Sequence, residues 1–387
     1  MTLNLNLFNE NKVFEQIDFN PYYHIINSGL DDTLILDDKE FTNLASNNYL
    51  GIANDSRIKE AMIEGINRYG VSMCATPIAS GYTKQYDKVR KKVASFVGVE
   101  DAIIFPSCYQ ANNGLFNAIV KREDVVIVDQ YAHSSLIEGI KTVGCKIRPF
   151  LHNDMASLEK NLINSNKFNN IFVVTESVFS TEGSIAPMYD INLLCKKYNA
   201  TPVVDDSHGI GVIGKKGKGI INYSNILDYD GIYTASLGKA VANTGGVIGG
   251  KKELINYLKY YCSHFVYSTV IPPVVIAGID KTIDIIENEF ELLSEKLYNY
   301  SKHIKNSLKD YFILSNSSAP INSIICGTTE QTFGFAKYLY ENKILTTPFV
   351  YPSVSKNEGV IRIIAGANLS EESVNKAIDI IKKYKIP

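Results

Sequence analysis

A lysine surrounded by small residues is the first candidate for chemistry in this sequence. Lys239 follows the apolar run "GIYTAS", stands between Gly238 and Ala240, and precedes Gly245 and Gly246. Small neighbours let a bulky molecule approach the backbone closely. A lysine held away from water has a lowered pKa and becomes a nucleophile for carbonyl groups. The alternative is a surface lysine in a flexible loop.

Two carboxylates and a histidine follow another apolar run. The stretch "TPVVDDSH" places Asp205, Asp206 and His208 at the carboxyl end of a predicted strand, where open α/β sheets bind their ligands. Alternatively, the aspartates cap a turn and the histidine is a solvated loop residue. An aspartate and Lys239 at two such strand ends match the needs of pyridoxal phosphate (PLP). This cofactor requires a Schiff-base amine and a carboxylate on its pyridinium nitrogen.

The phosphate of such a cofactor would need donors of its own. The stretch "FPSCYQANNGLF" puts Ser107, Cys108 and Tyr109 between a predicted strand and a predicted helix. Free backbone N–H groups at a helix start point at an anion. Ser236, three residues before Lys239, adds a hydroxyl. The sequence therefore contains candidates for each part of a PLP site, and we predict no metal site.

His133 and Arg362 are two further candidates. His133, in "DQYAHSSLIEG", leads from a predicted strand into a predicted helix, where it could stack on a flat ring or simply begin the helix. Arg362 lies among aliphatic residues in "GVIRIIAG". Burying a guanidinium is costly unless it meets an anion. A substrate α-carboxylate and an internal salt bridge are both open as partners for Arg362.

The glycines Gly209, Gly211 and Gly214 suggest a competing function. They spell G-x-G-x-x-G, which indicates a dinucleotide enzyme when the first glycine closes a strand and an apolar helix follows the third. Here "DDSH" separates the strand from Gly209, and "KKGKG" follows Gly214. A nucleotide-phosphate loop also fails, since Lys216 stands where Ser or Thr is required. We expect the match to be accidental; a dehydrogenase would bind nicotinamide and show no PLP colour.

Composition limits the class of protein. The 387 residues allow two domains, or one large domain with a smaller appendage. Lys and Arg number 39 against 41 Asp and Glu, a formal charge of −2, so we expect neither nucleic acid nor an anionic membrane as a partner. The six cysteines lack C-x-x-C spacing, which favours a reducing compartment. Without a signal-peptide pattern or a long apolar stretch, we expect a cytoplasmic protein with no membrane span.

The order of apolar and amphipathic segments predicts an α/β fold. From about residue 98 short apolar runs alternate with helical patterns, which indicates a mostly parallel sheet covered on both faces. A long helical pattern, roughly from Lys281 to Leu308, then precedes an α+β segment. We predict an arm with short strands over 1–50, a large PLP-binding domain over 51–280 and a small α+β domain over 281–387.

Eight motifs in sequence resemble those of one family. They are "SNNYLG", "SCYQAN", "AHSSLIEG", "TESVFSTEGSIAP", "VDDSHGIGVIGKKGKG", "TASLGKA", "YSTVIPP" and "IRIIAG". Together they resemble the α-oxoamine synthases, PLP-dependent acyltransferases of the fold-type-I (aspartate aminotransferase-like) superfamily. The resemblance runs from about residue 20 to the end of the chain. It implies a large domain with a mostly parallel central sheet plus a smaller carboxyl-terminal α+β domain.

The resemblance also implies a role for individual residues. Lys239 would be the Schiff-base lysine, Asp205 the pyridinium partner and His133 the stacking ring; with His208 these are the predicted catalytic residues. The resemblance also implies contacts of Ser180 and His208 with the ring hydroxyl, and of Cys108, Tyr109 and Ser236 with the phosphate. Ser268 and Thr269 would reach the phosphate across the interface of a homodimer that shares its active sites. Asn47 and Arg362 would bind the amino acid, Arg362 through the carboxylate.

The implied reaction is a decarboxylating condensation. A small L-amino acid or glycine displaces Lys239 from the cofactor, and the freed amine removes its α-proton. The resulting carbanion attacks the thioester of an acyl-CoA or acyl-carrier protein, and the thiol leaves. Loss of carbon dioxide and protonation give an α-amino ketone.

Departures from the family's motifs concern the acyl chain. Enzymes that make 8-amino-7-oxononanoate bind the pimeloyl carboxylate with an arginine on the arm, whereas the first arginine here is Arg57 and the arm offers Lys12. Ala75, Tyr86 and Arg90 also stand where many relatives have glycine, His and Glu. We expect an apolar acyl chain. The alternatives are 8-amino-7-oxononanoate synthase, glycine C-acetyltransferase and, in another reaction class, an aminotransferase of the same fold, which would release no thiol.

Overall fold

A seven-stranded sheet lies at the centre of the computed structural model, which describes residues 19–311 and 317–384. Strands β1 (Thr33–Leu36) and β2 (Lys39–Asn43) form a separate antiparallel pair. The central sheet consists of β3 (Asp101–Phe105), β4 (Val125–Asp129), β5 (Lys146–Phe150), β6 (Ile171–Glu176), β7 (Thr201–Asp205), β8 (Ile232–Ser236) and β9 (Gly246–Gly250). Their order is β3-β9-β8-β7-β6-β4-β5, and of these seven strands β9 runs in the direction opposite to the other six. The predicted mostly parallel sheet is confirmed.

The strands of this sheet are apolar because helices cover both of its faces. Strands β3, β4, β6 and β9 are buried at every position, as is typical of a parallel sheet inside an α/β protein. The helices of this part are α1 (Ser56–Tyr69), α2 (Lys84–Val97), α3 (Cys108–Ile119), α4 (Ser134–Val143), α5 (Met155–Ile163), α6 (Met188–Lys197), α7 (Ile220–Tyr223), α8 (Lys252–Tyr261) and α9 (Ser263–Val266). A π-helical turn spans Pro77–Gly81 and a 3-10 turn spans Lys215–Gly217.

A second core lies towards the carboxyl end. Strands β10 (Asn322–Gly327), β12 (Thr347–Phe349) and β13 (Gly359–Ile363) form an antiparallel sheet, whereas β11 (Ile344–Leu345) pairs with β2. The helices here are α10 (Pro273–Ser307), α11 (Thr329–Glu341) and α12 (Glu371–Lys383). Their apolar faces and β13 enclose a buried cluster that is separate from the core of the large sheet.

Helix α10 connects the two cores. It begins at Pro273 rather than near Lys281, since a proline is well suited to the first turn of a helix. Ile286 packs in the core of the large sheet and Ile304 in the second core. The predicted boundary at residue 280 falls within this helix, so the division into domains remains a prediction.

The direction of the strands determines where the candidate residues lie. Strands β3, β4, β6, β7 and β8 run in the same direction, so their carboxyl ends lie at one edge of the sheet. Cys108, His133 and Lys239 follow strand ends at this edge, and Glu176 and Asp205 are the last residues of their strands. One edge therefore gathers residues that are up to about 130 positions apart in sequence.

No helix of the described ranges is long and apolar enough to cross a membrane. All six cysteines lie in these ranges, and all are free thiols.

Gly246 allows helix α3 to begin directly against the sheet. A Cβ at Gly246 would overlap the backbone of Cys108, the first residue of α3. We expect Gly246→Ala to lower the free energy of unfolding by about 1–3 kcal/mol, because overpacking displaces the helix start. The matched variant Gly334→Ala lies inside α11, where the nearest atom to a new Cβ is 3.5 Å away. It should stabilise the chain by up to about 1 kcal/mol, since alanine favours helix. Urea unfolding measures the free energy of unfolding of both variants. Equal changes in the two variants would contradict the close contact at Gly246.

Candidate active site

Lys239 is half-buried beyond the end of β8, and its Nζ has no hydrogen-bond or ion-pair partner in the described part of the chain. Burial lowers the pKa of this amine, while the nearby Asp205, Cys108 and Glu176 act in the opposite direction. An amine with a lowered pKa is more often neutral, and only the neutral form attacks a carbonyl carbon or accepts a proton. The environment of Lys239 therefore favours a nucleophile and base.

Asp205 provides a buried carboxylate beside this amine, with a residue exposure of 4 %. Its Oδ2 accepts a hydrogen bond of 2.8 Å from Asn112, and its Oδ1 accepts one of 3.0 Å from the backbone N–H of Ser207. The thiol of Cys108 lies 3.9 Å from Oδ2. These donors fix the carboxylate, and no cation of the described residues forms an ion pair with it. It suits a protonated ring nitrogen.

Asn112 and Ser207 were not identified from the sequence. Asn112 lies four residues after Cys108, so both point from the same face of α3. Its Nδ2 also donates to Ser135 Oγ at 3.0 Å. Ser207 Oγ accepts from the backbone N–H of Ser236 at 2.8 Å, which links the Asp205 turn to the end of β8. The helical spacing was a signal for Asn112, but nothing in the sequence marks the Ser207 contact.

Asp206 has a different role from its neighbour. Its Oδ2 accepts hydrogen bonds of 3.0 Å from the backbone N–H of Ile220 and the hydroxyl of Tyr233. Burial raises the pKa of Asp206 to about 7. A Cβ on Gly209 or Gly219 would overlap its carboxylate, so glycines let the loop wrap around it. Asp206 therefore holds the loop in place, whereas the local turn contact that the alternative predicted is made by Asp205 with the N–H of Ser207.

The dinucleotide interpretation is excluded by the same loop. Only the turn Lys215–Gly217 and the four-residue helix α7 follow Gly214, and no long helix begins there. The G-x-G-x-x-G match is accidental, as expected.

His133 begins α4, and part of the residue remains exposed. Its Nδ1 accepts from the backbone N–H of Ser135 at 3.2 Å and lies 2.9 Å from the hydroxyl of that serine. The backbone N–H of His133 donates a hydrogen bond of 2.7 Å to Glu176 Oε1. Burial lowers the pKa of the imidazole, although the negative charge of Asp205 acts in the opposite direction. The helix-start interpretation is correct, and stacking on a flat ring stays a prediction.

Glu176 is a buried acid that the sequence analysis did not identify. Burial and the charge of Asp205, its neighbour across the β6–β7 pair, raise its pKa well above the usual range. Both effects favour its neutral form, next to the backbone of His133.

His208 is buried and pairs with Tyr49. The Tyr49 hydroxyl lies 2.7 Å from His208 Nδ1, and burial, followed by the charges of Lys239 and Arg362, lowers the pKa of this histidine well below its usual value. The ring is therefore neutral and can accept the Tyr49 proton at Nδ1. Tyr49 belongs to the motif "SNNYLG", as does Asn47, whose Oδ1 is buried without a hydrogen-bond partner.

The start of α3 is the candidate phosphate cradle. Ser107 caps the helix by accepting from the N–H of Gln110 at 3.1 Å, which leaves the amides of Cys108 and Tyr109 without an intrahelical partner. The Tyr109 hydroxyl donates to Glu138, so its backbone rather than its side chain is available. Ser236 Oγ accepts from the N–H of Gly238 at 3.2 Å and can still donate.

Arg362 on β13 is buried, with a residue exposure of 6 %. Its Nη1 donates to the carbonyl of Ser180 at 3.0 Å, and the guanidinium lies 5.0 Å from the ring centroid of Phe349. Its Nε is buried without a partner. Within 19–311 and 317–384 no carboxylate lies at ion-pair distance, so the internal salt bridge is not found there. Burial lowers the pKa of Arg362, and an anionic ligand would offset that cost.

Ser268 and Thr269 are not brought to this cluster within one chain. Thr269 and the neighbouring Tyr267 are exposed, and Ser268 Oγ donates to the carbonyl of Thr269 at 3.4 Å. A role at a partner's phosphate remains a prediction. The backbone carbonyl of Ser180 accepts a hydrogen bond from Arg362. Ser180 is half-buried, and the predicted contact of its hydroxyl with the ring hydroxyl of PLP stays a prediction.

The residues present fit PLP. An amine without a partner lies near a buried carboxylate, free amides begin α3, and buried polar atoms of Asn47 and Arg362 lack partners. Each part of the cofactor and an amino-acid carboxylate thus has a matching group.

Comparisons with known proteins agree with this site. A model of the family "Aminotransferase class I and II" matches residues 39–381. The 8-amino-7-oxononanoate synthase of Treponema denticola is 34% identical over 355 residues, which cover 91% of this chain and 90% of the relative. The 8-amino-7-oxononanoate synthase 1 of Bacillus subtilis is 33% identical over 341 residues, with 88% and 87% covered.

Solved structures show the same fold. A serine palmitoyltransferase from S. paucimobilis with a bound PLP–myriocin adduct superposes with a TM-score of 0.93 at 20% identity, covering 98% of both chains. The 8-amino-7-oxononanoate synthase of Francisella tularensis gives a TM-score of 0.78 at 26% identity, covering 89% of this chain and 97% of that one. This chain belongs to the aminotransferase class I and II family and, within it, to the PLP-dependent acyltransferases called α-oxoamine synthases.

Proposed function

We propose that this chain condenses a small amino acid with an acyl thioester whose chain is apolar, releasing the thiol and carbon dioxide. One observation carries the proposal. Lys239 and Asp205 extend from the adjacent strands β8 and β7, within electrostatic reach of a buried Arg362 that has no acidic partner in the described residues. Amine, carboxylate and guanidinium are the groups that a PLP-dependent reaction of an amino acid requires.

Lys239, Asp205 and the amides at the start of α3 would hold the cofactor. PLP, when bound, withdraws electrons from the α-carbon of the amino acid and so stabilises negative charge there. Lys239 Nζ would accept the α-proton, because a lowered pKa raises the fraction of this amine that is neutral. Asp205 would meet the ring nitrogen, and the hydrogen bond from Asn112 restricts rotation of its carboxylate.

Arg362 would bind the amino acid through its carboxylate. The free Nε and the nitrogens not used by Ser180 are charged donors, and bonds from charged donors are about twice as strong as neutral ones. Phe349 packs near the guanidinium and limits its rotation. Asn47, with a buried amide beside the Tyr49–His208 pair, would contact the same substrate. The carboxylate that Arg362 holds is the one that leaves as carbon dioxide.

A cavity of about 1040 Å³ supports an apolar acyl chain. Its described lining, which contains no lysine or arginine, is Asn20, Pro21, Tyr22, Tyr23, His24, Ile26, Ala45, Leu345, Thr346, Thr347 and Pro348. Thr347 pairs with Arg362 across β12 and β13, so the cavity adjoins the proposed amino-acid site. Arg57 is not free to bind a distal carboxylate, because it pairs with Asp55 at 2.7 Å and Glu289 at 2.5 Å.

The names of the curated relatives support a second candidate, 8-amino-7-oxononanoate synthase, whose acyl chain ends in a carboxylate. Lys12, the cation of the arm that could meet that group, lies outside the described residues.

We also propose a homodimer in which Ser268 and Thr269 reach the partner's phosphate site, and a cytoplasmic location.

The test is free-thiol release over a grid of amino acids and acyl-CoA chain lengths, with Lys239→Ala as the control. We expect release to peak for one amino acid with an apolar chain and to vanish in the variant. A maximum with pimeloyl-CoA would favour the second candidate. Formation of a keto acid without thiol release would indicate an aminotransferase. If no CoA ester releases thiol, acyl-carrier proteins should be tested as donors.

The two adjacent aspartates should respond differently to the same change. Asp205→Asn removes the charge at the ring nitrogen, and we expect kcat to fall by about 100-fold or more. Asp206→Asn retains an acceptor for Ile220 and Tyr233, and kcat should stay within roughly threefold. Steady-state thiol release measures both variants. Equal losses would show that the assignment of Asp205 is wrong.

Arg362→Met should affect binding of the amino acid. Losing charged hydrogen bonds to a carboxylate should raise its KM roughly 10–100-fold, while the KM of the acyl thioester changes less. Arg148→Gln is a matched control, since Arg148 also has a buried Nε without a partner but lies at the far edge strand β5. An unchanged amino-acid KM in the Arg362 variant would exclude this role.

A further inference from the structure

A short hairpin connects the large sheet to Arg362. It comprises residues 178–185, and we call it the 178–185 hairpin. Val178 and Ile185 form an antiparallel bridge, Phe179 N–H donates to Ser184 O at 3.0 Å, and Gly183 N–H donates back to Phe179 O at 2.9 Å. The hairpin follows β6 and is the "VFSTEGSI" part of a motif that the sequence analysis used only for Ser180.

The tip of this hairpin contacts the carboxyl-terminal residues through its backbone. Ser180 O accepts from Arg362 Nη1 at 3.0 Å, Thr181 O from the hydroxyl of Ser323, and Gly183 O from that of Ser317. Gly183 has φ 75° and lies so close to Ile321 that a Cβ would be 2.9 Å from its carbonyl oxygen. Any movement of the hairpin therefore moves the groups that hold the guanidinium.

His152 fastens the other side of the hairpin to the sheet. Its Nδ1 lies 3.0 Å from Asp129 Oδ1 at the end of β4, and its Nε2 lies 3.2 Å from Glu182 Oε1 and 2.8 Å from Ser184 Oγ. The ring stacks on Tyr131, with centroids 4.6 Å apart. It also meets the ring of Phe179 edge-on at 4.4 Å. His152 therefore bridges a fixed strand and the hairpin tip.

We infer that His152 is a positioning residue for the amino-acid substrate: by holding Glu182 and Ser184 it fixes the Ser180 carbonyl and, through it, the Arg362 guanidinium. The inference deepens the proposed function and rests on it, since it takes the amino-acid carboxylate to be the ligand of Arg362.

The charge of His152 makes this bridge depend on pH. Burial lowers its pKa, but the hydrogen bonds to Asp129 and Glu182 outweigh burial and raise the pKa to about 9, from 6.5 for a free histidine. The other titratable groups nearby are Tyr131, against the ring, and Glu358, which acts on Tyr131 from the β12–β13 connection. Because the folded pKa is the higher one, the contribution to stability is complete below pH 6.5 and is lost as pH rises through about 9.

The experiment compares His152→Gln with His303→Gln in the PLP-loaded enzyme. Glutamine removes the charge and cannot bridge both carboxylates. We expect KM for the amino acid to rise roughly tenfold, with kcat changed less than about threefold and the cofactor absorbance unchanged. The KM ratio of variant to wild type should shrink as pH rises from 7 to 10. His303, exposed and 2.7 Å from Asn375, should tolerate the change at every pH.

A second measurement does not depend on turnover. Backbone hydrogen exchange at Phe179 and Gly183, measured without substrate at pH 7, should be faster in His152→Gln than in wild type, because the hairpin opens more often. Glu182→Gln removes the charge from the other end of the bridge and should change exchange and KM in the same direction. This variant keeps the inference testable if His152→Gln does not fold.

An unchanged amino-acid KM with unchanged exchange in both variants overturns the inference. So does a loss of kcat and of cofactor absorbance at constant KM, because that would indicate a general structural role. If wild type releases no thiol with any substrate pair, the proposed reaction fails separately. Exchange, together with the absorbance change that the amino acid itself produces, then still decides whether His152 acts on its binding.

Discussion

The interaction on which this site depends is the proximity of the buried Asp205 carboxylate to the amine of Lys239. Burial and the carboxylate have opposite effects on the amine, because burial favours its neutral form and the negative charge favours its ammonium form. The net direction is a lowered pKa, which raises the fraction of the amine that is neutral and can act as nucleophile and base, although Asp205 lies 34 positions earlier in the chain. Adjacent parallel strands, β7 and β8, make this possible, since their carboxyl ends meet at one edge.

The fold and the central residues could be predicted because their signals are local. Each predicted strand of the large sheet is present, and Lys239, Asp205 and His133 lie at its carboxyl edge, since strand direction alone determines that placement. The start of α10 was predicted near Lys281, whereas the helix begins at Pro273, because a proline is well suited to the first turn of a helix.

The contacts that hold these residues could not be predicted in the same way. Asn112 meets Asp205 across 93 positions and Tyr49 meets His208 across 159, so their pairing exists only after the chain has folded. The two adjacent aspartates show best what the sequence alone cannot predict. Asp205 and Asp206 are chemically identical in the sequence, yet the alternating directions of neighbouring side chains send one to the site and the other into a loop that glycines wrap around it.

The site joins parts of the chain that have separate apolar cores. The amine and the carboxylate extend from the large sheet, whereas Arg362 belongs to a strand of the second sheet. Helix α10 packs in both cores and joins them, and directional contacts at the site add to this packing. Backbone carbonyls of the 178–185 hairpin provide such contacts, and they offer hydrogen bonds without adding a charge that would compete with a substrate carboxylate. Ser180 O is the hairpin carbonyl that accepts from Arg362, and no acid of the described residues lies at ion-pair distance, so the free Nε can donate to an anionic ligand.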